Sequence, residues 1–87
     1  MENRLDGNAA GGLLGEIFPF EMTRAHATCG GCGRTALLGA SPAYVHGMGA
    51  VIRCAACDTA LIRLAHVKGC YWVDMRGART LQIPEER

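Results

Sequence analysis

The sequence has almost no net charge, little lysine and few aromatic residues. Eight arginines accompany one lysine, the formal net charge is +1 at pH 7, and aromatic residues make up 6% of the chain. A protein that binds nucleic acid mainly through charge carries a larger basic excess. Apolar residues at 49% and charged residues at 20% are an ordinary globular balance, which excludes an intrinsically disordered chain.

Long hydrophobic runs are also missing. The longest charge-free stretch, between Arg34 and Arg53, is interrupted by glycine, proline and histidine, so we expect no membrane span and no membrane partner. The beginning of the sequence carries Glu2, Asp6 and Glu16, unlike the basic start and apolar run of a secretory signal. We therefore expect a cytoplasmic location.

The length of 87 residues predicts a single domain over residues 1–87. In a domain this small, the free energy gained by burying apolar surface scarcely exceeds the free-energy cost of the conformational entropy lost on folding. We therefore expect an additional cross-link that stabilises the fold. The five cysteines are the candidates. We predict a small, metal-stapled, mainly-β fold in three parts: an N-terminal helix over 6–18, a ribbon of short antiparallel strands over 23–83 and a tail over 84–87.

The predicted helix has a clear beginning and end, because Asp6 is a good N-cap and Pro19 stops the pattern. The apolar residues at helical spacing between them are Ala9, Ala10, Leu13, Leu14, Ile17 and Phe18. Four glycines in this segment each weaken the helix by up to about 1 kcal/mol relative to alanine, so the helix needs an apolar surface to dock on. We expect that surface to belong to its own domain; the alternative is a partner protein.

Short β-like runs broken by turn residues follow from Thr23 onward. The best-defined pair joins 59–67 to 70–76 through a two-residue turn at Lys68-Gly69. Less regular strands are expected near 24–28, 35–38, 43–46, 50–53 and 80–83.

The turn at Lys68-Gly69 fixes a register for this hairpin. The facing pairs are Val67 with Cys70, His66 with Tyr71, Ala65 with Trp72, Leu64 with Val73, Arg63 with Asp74 and Ile62 with Met75. The face expected in the core holds Ile62, Leu64, Val73 and Met75 with Tyr71. The face expected in water holds Arg63, Trp72, Asp74 and Arg76, and opposite charges meet at Arg63 and Asp74.

The strongest motif is a pair of Cys-x2-Cys segments, Cys29 to Cys32 and Cys54 to Cys57, with 21 residues between them. A tetrahedral metal ion needs four thiolates about 2.3 Å away, and each segment presents two sulfurs from one tight loop. A hairpin between the segments brings the loops together. We predict one Zn²⁺ per chain, bound by Cys29, Cys32, Cys54 and Cys57, with a structural role because no coordination position is left for water.

Other interpretations of the cysteines stay open. Iron in the same set would make a rubredoxin-like electron carrier, although that signature expects a proline where this chain has Ala55 and a strongly aromatic core. Unligated thiols or two disulfides are a further alternative. His26 is a less favoured ligand than the four matched cysteines. Cys70 is expected to be a small buried side chain rather than a reactive thiol.

Several stretches together resemble a family of small bacterial zinc-ribbon proteins of unknown function, over nearly the whole chain. They are Leu5–Ala10, Glu16–Phe18, the two cysteine motifs, Val51–Cys54, Leu61–Arg63 and Trp72–Gly77. The resemblance implies a stand-alone ribbon with an N-terminal helix and with the four cysteines of the two motifs as metal ligands. It implies no activity.

Two binding functions fit these features. The first is a protein-interaction module that presents the acidic N-terminal helix or the Trp72 face to a partner. The second is a nucleic-acid-binding, transcription-associated ribbon, in which Trp72 stacks on a base beside Arg63 and Arg76; the alternative for that face is a solvated strand with an internal cation–π contact. An enzyme is not expected, because no carboxylate pair, Cys–His couple or phosphate-binding loop stands out.

Overall fold

The computed structural model describes residues 4–85, which form eight strands, one α-helix and three short 3₁₀ turns. The strands are β1 (Arg4–Asp6), β2 (His26–Cys29), β3 (Thr35–Leu37), β4 (Pro42–His46), β5 (Gly49–Arg53), β6 (Ala60–Val67), β7 (Cys70–Asp74) and β8 (Ala78–Gln82). The helix is α1 (Gly11–Ile17). Every strand predicted from the sequence is present; β1 was not predicted, because three residues are too few to show a periodic pattern.

The strands form two antiparallel sheets. The five-stranded sheet has the order β1-β4-β5-β6-β7, in which three successive hairpins join β4 to β7. The three-stranded sheet has the order β3-β2-β8. The predicted mainly-β class is thereby confirmed. Of the predicted tail, Pro84 and Glu85 follow β8, whereas residues 86 and 87 lie outside the described residues.

The N-terminal helix begins at the predicted cap. The Asp6 carboxylate accepts a hydrogen bond from the Asn8 N–H at 3.1 Å, which satisfies one of the unpaired donors at a helix start. The first turn, Gly7–Ala10, is 3₁₀ rather than α, and α1 ends one residue before Phe18. No helix within residues 4–85 is long and apolar enough to cross a membrane.

This helix docks on its own domain, as expected. Leu14 is 1% exposed, and Leu13, Ile17 and Phe18 pack against the buried cluster. That cluster draws on both sheets and the helix, and its largest side chains are Leu14, Met22, Leu38, Ile52 and Ile62. The apolar face of the helix is therefore used inside the fold and does not need a partner.

The β6–β7 hairpin has the predicted register from Arg63 facing Asp74 to Val67 facing Cys70. The sixth predicted pair, Ile62 with Met75, lies beyond the ladder because β7 ends at Asp74.

The burial prediction for β7 was wrong on its inner face. Tyr71 is 43% and Val73 41% exposed, whereas Ile62 and Leu64 of β6 are buried. Among residues 4–85, β7 is the last strand of its sheet and has a neighbour on one side only, so the core does not extend beneath it. Trp72 on the outer face is 65% exposed.

Candidate metal centre

The first cysteine loop leaves the end of β2 as a tight turn. The Cys29 N–H donates to the Arg34 carbonyl and the Gly33 N–H donates to the Cys29 carbonyl, both at 2.8 Å. The Gly31 N–H points at the Cys29 Sγ, 3.3 Å away. Gly33 has a φ of 79°, a conformation that glycine adopts without steric penalty. This turn leaves the sulfurs of Cys29 and Cys32 on one side.

The second loop, after β5, repeats the same hydrogen bonds. The Cys54 N–H donates to the Thr59 carbonyl and the Asp58 N–H donates to the Cys54 carbonyl, both at 2.8 Å. The Ala56 N–H lies 3.4 Å from the Cys54 Sγ. Asp58 has a φ of 68°, and aspartate is among the few residues with a side chain that tolerate this region. The two loops are therefore equivalent metal-binding turns despite their different sequences.

The four sulfur atoms converge on one point. The Sγ atoms of Cys29 and Cys57 are 3.6 Å apart, those of Cys32 and Cys54 are 3.7 Å apart, and all four lie within 4.8 Å of one another. Tetrahedral coordination with metal–sulfur bonds of about 2.3 Å places sulfurs about 3.8 Å apart, whereas a disulfide requires about 2.05 Å. The cluster can therefore hold one metal ion, and the four thiols are not paired as disulfides.

The site lies half inside the protein and joins its two sheets. Cys29 and Cys54 are buried in the core cluster, and Cys32 and Cys57 are exposed. Cys29 belongs to the three-stranded sheet and Cys54 directly follows β5 of the five-stranded sheet. Four thiolates complete a tetrahedral shell, so a bound ion has no open position for water or substrate. The arrangement is chemically suited to cross-linking the sheets.

Three of the cluster thiols, those of Cys29, Cys32 and Cys57, have shifted pKa values. The backbone N–H of Cys32, helped by that of Gly31 and opposed by burial, lowers the pKa of Cys29 to about 6. The Thr59 hydroxyl, 3.1 Å from the Cys57 Sγ, lowers the pKa of Cys57. The Arg34 N–H acts in the same direction on Cys32, but burial and the three neighbouring sulfurs outweigh it and raise the pKa to about 11. A divalent cation at the centre favours the thiolate form of all four.

Neighbouring backbone fixes the first loop in place. The Gly30 N–H donates to the Gly77 carbonyl at 2.8 Å, which ties the loop to the turn between β7 and β8. Any side chain at Gly77 would collide with the Ala60 carbonyl, and one at Gly31 would approach the Thr59 hydroxyl to 2.5 Å. Glycine is therefore required at position 77 by the close approach of backbone rather than by φ, and a side chain at position 31 would have to displace the Thr59 hydroxyl.

Two other candidate residues lie outside the four-sulfur cluster. His26 is exposed on β2 and is not among the grouped ligand atoms of the described chain. Cys70, predicted to be buried, is exposed because it begins the edge strand β7.

The outer face of β6 and β7 forms the predicted Trp72 face, around a shallow groove of about 430 Å³. Asp74 accepts hydrogen bonds there from the Arg76 backbone N–H at 3.0 Å and from its guanidinium at 3.0 and 3.3 Å. These bonds lower the pKa of Asp74, and Arg63 adds a smaller Coulombic effect. Arg63 faces Asp74 as predicted, and Arg76, which was not predicted to contact Asp74, supplies the hydrogen bonds to it.

Sequence reasoning did not predict three contacts made by residues of the five-stranded sheet. The Tyr71 hydroxyl donates to Glu16 Oε1 at 2.9 Å, which raises the pKa of Tyr71, and the Tyr71 ring stacks on His66 at 4.2 Å. Arg53 lies 5.8 Å from the ring centroid of Tyr44. Glu16 and Tyr71 are 55 positions apart, so no local pattern could have joined them.

Fold and site together define a small mainly-β protein with a four-cysteine cluster that can hold a metal ion. The chain belongs to DUF6510, a family of unknown function, which matches residues 1–86. Comparison with curated proteins and with solved structures gives no match.

Proposed function

We propose that this protein is a non-catalytic, cytoplasmic protein-interaction module, stapled by one structural Zn²⁺, whose binding element is the free edge of β7. The observation that carries the proposal is the position of β7, which in residues 4–85 is the exposed last strand of the five-stranded sheet.

Zinc is favoured over iron by the character of the core. The largest fully buried side chains are aliphatic or sulfur-containing, apart from Ser41, whereas a rubredoxin-like iron site is expected within an aromatic core. Ala55 also stands where that signature has proline. A closed four-thiolate zinc site has neither redox activity nor an open ligand position, and this supports a non-catalytic role.

The free hydrogen-bonding groups of β7 can be located from the neighbouring strand. The His66 N–H donates to the Met48 carbonyl at 2.8 Å, on the side of β6 that faces away from β7. His66 and Tyr71 therefore form a non-hydrogen-bonded pair. Because paired residues alternate between the two types in an antiparallel ladder, the N–H and C=O groups of Tyr71 and Val73 point outward from the sheet edge.

In the part of the chain that the structure describes, β7 also lacks the usual protection of an edge strand. Proteins block such edges with lysine, proline, bulges or covering segments. The strand reads Cys-Tyr-Trp-Val-Asp, with no proline or lysine, and its ladder with β6 is regular. Its one carboxylate, Asp74, is engaged by Arg76. An extended peptide can add to this edge through its backbone while Trp72 contacts the peptide side chains.

Selection of random peptides displayed on phage, with zinc-loaded protein as bait, tests the proposal. We expect extended peptides to be enriched and to bind the Val73→Pro variant at least about tenfold more weakly than the parent. Proline has no backbone N–H to donate to the peptide, and its ring occupies the space where the peptide backbone would lie. The substitution removes no bond to β6, so the fold should persist, as checked by circular dichroism.

Val73→Ala is the matched control for the backbone effect. It removes the side chain but keeps the N–H, so the expected loss of affinity is smaller than for Val73→Pro. A selection that enriches no peptide, or peptides that bind Val73→Pro as tightly as the parent, would contradict the edge as the binding element.

Nucleic-acid binding is the second candidate, supported by the groove in which Trp72 lies beside Arg63 and Arg76. The small positive charge available for binding phosphate argues against nucleic-acid binding. Arg76 is held by Asp74, and Arg53, farther along the sheet, lies 3.9 Å from Asp58. Of the two arginines in the groove, Arg63 is then the one left for phosphate, and a bound zinc site with four thiolates would lower the net charge from +1 by two.

For this reason we expect weak binding of labelled random oligonucleotides, single- or double-stranded, in fluorescence anisotropy across a salt series. Trp72→Ala serves as the control. Micromolar, salt-sensitive binding that Trp72→Ala weakens would reverse the order of the two candidates.

A further inference from the structure

We infer that the occupant of the β7 edge is a second copy of this chain, paired antiparallel about a two-fold axis at Trp72. The inference rests on the proposed use of β7 as a binding edge and names the partner. β7 runs from Cys70 to Asp74, so Trp72 is its central residue. A two-fold axis there pairs every residue of one strand with a residue of the other.

This register matches the outward hydrogen-bonding groups. With the axis at Trp72, Tyr71 of each copy faces Val73 of the other. These two residues carry the free N–H and C=O groups of the edge, and each facing pair can exchange two hydrogen bonds. The outward backbone groups of the strand centre are then all paired, and two five-stranded sheets become one continuous sheet.

The same register buries the most exposed aromatic side chain. Trp72 is 65% exposed, and it would face its own counterpart in a non-hydrogen-bonded pair, where facing side chains lie closest. Aromatic pairs across neighbouring strands are favourable. Asp74 would face Cys70, so no like charges oppose each other within the paired strands.

Neighbouring registers fit less well. An axis at Tyr71 would place Lys68 and Gly69 in the pairing, but both have positive φ, 52° and 76°, and belong to the turn. An axis at Val73 would extend past Asp74, where β7 ends. The axis at Trp72 alone uses the whole strand and nothing beyond it.

The size of the contact sets the expected affinity. A stable interface buries about 800 Å² on each partner, and a single pair of five-residue strands buries less. The dimer is therefore expected to be concentration-dependent, with dissociation in the micromolar range.

Sedimentation equilibrium of the full zinc-loaded chain across the micromolar range tests the dimer. We expect the weight-average mass to rise toward twice that of the monomer. Trp72 is the one tryptophan of the sequence, so its fluorescence should shift to shorter wavelength over the same concentrations as it becomes buried.

Substitution of Trp72 by residues of opposite charge tests whether the two strands pair with Trp72 at the two-fold axis. Trp72→Glu and Trp72→Lys each place like charges opposite one another, so each variant alone should be monomeric. An equimolar mixture of the two should restore the dimer, because unlike charges then meet at the axis. Met48→Glu alters a side chain of similar exposure, 64%, in the β4–β5 turn, and should dimerise like the parent.

Three results would overturn the inference: a parent chain that stays monomeric, Trp72 variants that dimerise individually, or a mixture that remains monomeric. If the chain is monomeric but edge-dependent peptides are still selected, the dimer is wrong and the binding edge stands. If Val73→Pro also leaves peptide binding unchanged, both proposals fail.

Discussion

Removal of the metal ion is expected to abolish the cooperative unfolding transition of the whole chain. Structural zinc supplies roughly 10 to 16 kcal/mol in small zinc-binding peptides at neutral pH, which is as large as the whole net stability of a typical domain, roughly 5 to 15 kcal/mol. The site joins Cys29 of one sheet to Cys54 beside the other, and both are buried in the core. Chelation should therefore separate the sheets, as followed by thermal unfolding with circular dichroism.

Three exposed cysteines provide matched variants for this prediction. Cys32, Cys57 and Cys70 are all exposed free thiols, but only the first two belong to the four-sulfur cluster. Cys32→Ser and Cys57→Ser should each lose the cooperative transition, while Cys70→Ser should keep it. Unchanged melting curves for both cluster variants would disprove the metal-site assignment.

The identity of the metal is measured on the same samples. We expect elemental analysis of the purified protein to give one zinc per chain and a colourless solution, because zinc has no redox or visible ligand-field transitions. Iron in the four-thiolate set would give a coloured, reducible protein and favour the electron-carrier alternative.

The metal centre could be predicted from the sequence because its determinants are local. Each loop is a short cysteine motif whose sulfurs are set by hydrogen bonds within a few residues, such as Gly31 to Cys29 and Ala56 to Cys54. The register of the β6–β7 hairpin was predictable for the same reason, since the two-residue turn at Lys68-Gly69 determines every later pair. In both cases the information lies within a few neighbouring positions.

The features that could not be predicted from the sequence depend on the order of the strands in the sheet. Alternation in β7 places Tyr71 and Val73 on one face of a strand, but their exposure arises because β6 is the only strand within residues 4–85 that pairs with β7. The same edge position exposes Cys70. The hydrogen bonds from Arg76 to Asp74, which add to the predicted facing of Arg63 and Asp74, depend on where β7 ends, and the turn does not determine that. The exposure of Trp72 was predicted, whereas the edge position of β7, on which the proposed binding surface depends, was not.

Gly77→Ala is expected to have the largest effect of any single-methyl addition near the metal site. The added Cβ would collide with the Ala60 carbonyl and lie 3.0 Å from the Leu61 Cα. Both neighbours are backbone of β6, so relief requires the strand or the turn to move. Overpacking of this kind typically costs about 1 to 3 kcal/mol. The Gly77 carbonyl also accepts the Gly30 N–H, so the displacement should reach the first cysteine loop and weaken zinc binding.

Gly12→Ala is the matched control, because it adds the same methyl group in α1 where nothing lies within 4 Å. Alanine there should raise stability by up to about 1 kcal/mol, since glycine loses more conformational freedom in a helix. Urea unfolding measures both stabilities, and competition with a chromophoric chelator measures zinc affinity. Lower stability of Gly77→Ala with unchanged zinc affinity would show that the Gly30–Gly77 bond does not hold the loop. Equal stabilities of the two variants would contradict the close contact between Gly77 and β6 itself.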